Sequence, residues 1–110
     1  MSTRNADLLL GCWRVVRVAG DIVEGPDAEM EFRGGGDADH SVLLPDGWMV
    51  FGMTYRIEGD VLVLEGYSPG KSPPDRWHFS FETSGALRLE LDNGRAWLER
   101  GERRAPPLSR

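Results

Sequence analysis

The stretch WMVFGMTYRIEGDVLVLEG, Trp48 to Gly66, decides the fold class. Met49, Phe51, Met53, Tyr55 and Ile57 alternate along it with Trp48, Val50, Gly52, Thr54 and Arg56. A period of two places alternate side chains on opposite faces of a strand. Glu58-Gly59-Asp60 then makes a tight connection into a second run, where Leu62 and Leu64 match Ile57 across a hairpin. A long antiparallel hairpin with one oily face predicts an all-β protein.

The same alternation continues on both sides. Trp77, Phe79 and Phe81 oppose Arg76, His78, Ser80 and Glu82, and Leu87, Leu89 and Leu91 oppose Arg88, Glu90 and Asp92. Upstream, Met30 and Phe32 are set against Glu29, Glu31 and Arg33. Breakers separate the runs: Gly34-Gly35-Gly36, Pro45-Asp46-Gly47, the Pro- and Gly-rich segment 68–75, Ser84-Gly85 and Asn93-Gly94. Asn-Gly is a preferred two-residue hairpin turn because both residues tolerate positive φ. The predicted strands are 12–19, 28–33, 41–44, 48–57, 61–66, 76–83, 86–92 and 95–100. Short strands at regular spacing predict a single up-and-down antiparallel β-barrel of about eight strands. Helical periodicity is missing apart from one short turn through Leu10, capped by Asn5 or Asp7. The expected organisation is an N-terminal tail 1–7, a barrel 8–101 and a flexible C-terminal tail 102–110.

A chain of 110 residues has room for one core. Its net charge of −5 repels phosphate backbones, so nucleic acid is excluded as a partner. The basic cluster Arg100, Arg103, Arg104 and Arg110 reads as part of a solvated tail beside Pro106 and Pro107. Cys12 is the single cysteine, which rules out an intrachain disulfide and fits a reducing cytoplasm. The start lacks an apolar signal core, and runs such as Leu8 to Leu10 are too short to cross a bilayer, so no membrane partner is expected.

Few side chains offer chemistry. Tyr55, on the inward face, is the candidate catalytic residue, able to hydrogen-bond a ligand carbonyl or act as a weak general acid; the plainer reading is a core tyrosine with a satisfied hydroxyl. His40, with Asp37 and Asp39, reads as a solvated acidic loop without the spacing of a metal motif, so no metal is expected. His78 falls on the predicted outer face. Gly34-Gly35-Gly36 has no following Lys and Ser or Thr, and reads as a turn, not a phosphate loop. Cys12 reads as a small buried hydrophobe.

Leu10-Gly11-Cys12-Trp13-Arg14 resembles the Gly-x-Trp motif of lipocalins and of short bacterial lipocalin-like domains. In that family the Trp closes one end of the barrel, which assigns the closing role here to Gly11 and Trp13. Arg100, on the face of Leu98, is similar to the basic residue that packs over that Trp. The resemblance spans roughly Leu8 to Gly101. It implies the compact intracellular members, because the chain is shorter than secreted lipocalins and lacks their disulfide, signal peptide and C-terminal helix.

The leading expectation is a cytoplasmic monomer or homodimer that binds a small hydrophobic molecule without a cofactor. Met30, Phe32, Met49, Phe51, Met53, Tyr55, Leu62, Leu64, Trp77, Phe79, Phe81 and Leu89 are the candidate ligand-binding residues. A barrel this small holds either a plug of side chains or one small ligand, and Met adapts to varied shapes. One alternative is a cofactor-free cyclase or isomerase of a natural-product pathway, working by orientation and desolvation in the same cavity. Another is an interaction or inhibitor barrel anchored by outward Trp48 and Trp97.

Overall fold

The computed structural model describes residues 7–21, 28–66 and 74–106. Eight strands are formed among them: β1 (Gly11–Gly20), β2 (Glu29–Phe32), β3 (Asp37–Leu44), β4 (Gly47–Glu58), β5 (Val61–Gly66), β6 (Asp75–Phe81), β7 (Leu87–Leu91) and β8 (Gly94–Arg100). Each pairs antiparallel with its sequence neighbour, and β8 returns to β1 to close the barrel. Closure leaves no strand edge for another chain to extend. One helical turn, residues 7–9, precedes β1. No described helix is long and apolar enough to cross a membrane.

The decisive hairpin folds as its alternation requires. Ile57 pairs with Leu62 and Tyr55 with Leu64, all on the inner face. A bulge between Val15 and Arg17 lets β1 bend, so Val15 and Val18 both face inward while Val16 is exposed.

One end of the barrel is plugged. Trp13 and Leu9 are buried, and the Trp13 indole N–H donates to the Leu9 carbonyl at 2.8 Å. The Arg100 guanidinium lies 4.3 Å from the Trp13 ring centroid and donates to the Leu10 carbonyl at 2.6 Å and to the Leu8 carbonyl. Cation-π attraction of this kind contributes about 0.5 to 2 kcal/mol. Gly11 is required beside it: its φ is +117°, and a Cβ there would sit 2.9 Å from Arg100 Nη1.

Three expectations need correction. The third strand starts at Asp37, four residues before the expected 41, because Ala38 pairs with both Phe32 and Met53. His40 therefore lies on a strand facing the interior, while Asp37 and Asp39 face outward. These three side chains cannot converge on one cation.

The last hairpin turns at Asp92-Asn93, since Leu91 already pairs with Gly94. Its partner Gly20 is the position that must be glycine: φ there is +92°, and a Cβ would lie 2.7 Å from Gly94 Cα and 2.5 Å from the Asn93 carbonyl oxygen.

Residues 102–106, expected to be part of a flexible tail, pack on the outer face of β2 and β3, where Ala105 is buried. The cause is electrostatic: Glu29, Glu31 and Asp39 project outward there, and Arg103 and Arg104 neutralise them.

Candidate functional site

Up-and-down topology gives the barrel two unlike ends. The turns 33–36, 59–60 and 82–86 gather at the plugged end, with the start of β1. The connections β1–β2, β3–β4, β5–β6 and β7–β8 gather at the other, here termed the open end.

Side chains fill the plugged half. Phe32 meets Tyr55 edge-on at 5.1 Å between centroids, and Phe81 lies 6.0 Å from both Trp13 and Phe79. Leu62 and Leu64 are buried in the same core cluster. Of the predicted pocket residues, these six therefore act as packing.

Tyr55 has its hydroxyl engaged, donating to the Arg33 carbonyl at 2.7 Å in the β2–β3 turn. Burial raises its pKa, with Asp37 adding to the effect and Arg33 opposing it. A phenol that donates to the backbone at the plugged end is poorly placed to serve as an acid for anything entering from the open end.

Nearer the open end an enclosed gap of about 20 Å³ remains between the walls. That is room for about one water molecule. Met30, Trp77 and Leu89, all predicted pocket residues, line it; so do Leu91, which alternation places on the inner face but which was not among the predicted pocket residues, and Val18 and His40, whose inward faces the sequence did not reveal. Met30, Trp77, Val18 and Leu91 each stand within two residues of the open-end terminus of their strand. His40 is half-buried, and its ring lies 6.4 Å from that of Phe51. It is the one imidazole among otherwise apolar walls of this gap.

The remaining predicted residues, Met49, Phe51 and Met53, continue along β4 from the gap. Phe51 and Met53 are half-buried and Met49 is 45% exposed, so apolar inner-face surface reaches solvent here. The signal for His40 was present in the sequence: Asp37, Ala38, Asp39 and His40 already alternate. Without a large apolar residue at Ala38, nothing marked the inner face.

Outside the barrel, both outward tryptophans are covered. Arg17 stacks 3.8 Å from the Trp97 ring, whose N–H donates to Glu82 at 3.2 Å, and Arg104 lies 5.7 Å from the Trp48 ring. His78 is exposed on the outer face, 3.8 Å from Asp60. Cys12 is half-buried, and its thiol pKa is pushed up to about 11 by burial and by Glu29 and Glu31.

The architecture matches a known one. A lipocalin-like protein from Bacteroides uniformis ATCC 8492, known from its crystal structure, aligns over 86% of this chain and 99% of that one with a TM-score of 0.70. The two sequences are 18% identical, so the likeness is one of fold: this chain is a lipocalin-like barrel. No protein-family model and no curated protein matches the sequence.

Proposed function

We propose that the protein binds a small hydrophobic molecule in the open-end half of the barrel. The observation that carries this reading is the contrast between the two ends: buried aromatics and leucines close one, while the other keeps a gap and leaves Met49 45% exposed. Exposed inner-face surface of this kind is stabilised by covering it, at about 25 cal/mol for each Å² removed from water.

The gap of about 20 Å³ is too small for such a ligand as it stands. Met30, Met49 and Met53 supply the adjustment, because an unbranched thioether side chain changes shape at little cost. His40 is the polar group that would fix the ligand's orientation, giving one hydrogen bond within an apolar enclosure. The favoured ligand is thus mainly apolar with one oxygen function. We assign Met30, His40, Met49, Phe51, Met53, Trp77, Leu89 and Leu91 to the site.

Titration with fatty acids and polyketide-like aromatics, followed by native mass spectrometry and Trp fluorescence, tests this directly. Saturable one-to-one binding is expected, and Leu91→Trp should weaken it at least about tenfold, or 1.4 kcal/mol, by filling the gap. Absence of saturable binding across the panel, or undiminished binding by a folded Leu91→Trp variant, contradicts the proposal.

A further inference from the structure

The inward methionines differ sharply in exposure. Met30 is 3% exposed and Met49 45%, while Met53 is half-buried against the core cluster. The register supplies the cause. β5 pairs with β4 from Glu58 back to Met53, where β5 ends at Gly66. Among the described residues, positions 47–52 of β4 therefore have a paired strand only on the β3 side, where Met49 pairs with Val42. A thioether on the inner face is left in solvent at the lip of the open end.

Exposure decides how fast a thioether is oxidised, because the oxidant must reach the sulfur. Sulfoxidation turns a flexible apolar side chain into a polar, chiral one. At Met49 it would put an acceptor oxygen on the apolar surface that a bound ligand covers. An acceptor buried there without a donor destabilises the complex. Met30, inside the gap, is shielded from the same reaction by its burial.

We propose that Met49 is an oxidation site that controls the open-end pocket: a hydroperoxide converts it to the sulfoxide, and the sulfoxide weakens binding of apolar ligands. This inference rests on the reading of the open-end half as an apolar binding site. In the step, the sulfur lone pair attacks the terminal peroxide oxygen, so that an S–O bond forms as the O–O bond breaks. Sulfur gives up two electrons, and the proton of the transferred oxygen passes to the departing one, which leaves as water or an alcohol. A thiol-dependent sulfoxide reductase reverses the change, two thiols pairing as a disulfide while the oxygen leaves as water.

The native protein and Met49→Leu, treated briefly with hydrogen peroxide, test it. Peptide mass spectrometry reads the oxidised residues, and titration with palmitate reads binding. Met49 should take up oxygen at least about tenfold faster than Met30. Palmitate affinity of the native protein should fall at least about fivefold, and recover after methionine sulfoxide reductases of both epimer specificities have acted. Met49→Leu, whatever its starting affinity, should show no fall, although Met1, Met30 and Met53 remain in it.

Oxidation of Met30 as fast as Met49 overturns the modification site. Unchanged affinity of the protein oxidised at Met49, or an equal fall in Met49→Leu, overturns its control of the pocket. If palmitate does not saturate even the untreated protein, the apolar-site reading fails for this probe and the control fails with it. The ratio of oxidation rates at Met49 and Met30 then still decides the modification site.

Discussion

Tyr55 joins two strands and a turn through one hydroxyl. Its bond to the Arg33 carbonyl closes the β2–β3 connection against β4, and its ring rests edge-on against Phe32. Replacement by Phe keeps the ring and strands the carbonyl. The expected loss is about 1 kcal/mol of stability, seen as a lower urea midpoint at unchanged slope, with ligand affinity unchanged. An affinity loss of tenfold or more would return Tyr55 to the site. Cys12 makes an equally sharp prediction. With its pKa at about 11, the reactive thiolate at pH 8 is roughly a thousandth of the population, so alkylation should be orders of magnitude slower than for a free thiol. Rapid modification of the folded protein by iodoacetamide would show that Cys12 is not held as described.

Among the elements, the docked tail should respond to pH in a defined direction. Burial alone would raise the Asp39 pKa, but hydrogen bonds from Arg33 and Arg103 outweigh it and hold the carboxyl below its usual value. A carboxylate depressed in the folded state stabilises above the unfolded pKa of about 4, and that stabilisation disappears as pH falls through the lower folded value. Asp39→Asn should therefore cost about 2 kcal/mol at neutral pH and progressively less in acid, measured by denaturant melts between pH 7 and pH 2.5. A difference that stayed constant with pH would contradict the ionic account.

The same elements show what the sequence could tell. Wherever large apolar residues recur at every second position against smaller or more polar ones, as in 49–57, 77–81 and 87–91, faces and register were legible. In 37–40 the inner positions are Ala38 and His40, too small or too polar to announce a face, so a strand passed for a loop. The tail was illegible for another reason: ion pairing between Arg103 and Asp39, 64 residues apart, has no periodicity. In the pocket, the methionines and Trp77 stood out by alternation. Val18 was hidden by the bulge, and His40 by the misread strand.

For the molecule as a whole, closure and function share one axis. Pairing of β1 with β8 brings Trp13 and Arg100 together and plugs one end, and in the proposed function the ligand enters by the other. The chain contains four methionines, three of them inward-facing at or near the open-end half, the fourth being Met1 outside the described residues. Methyl-¹³C methionine spectra recorded during ligand titration therefore test the central claim most directly. The account predicts saturable shifts at Met30, Met49 and Met53. Saturable binding that leaves all three methyl signals in place would contradict it.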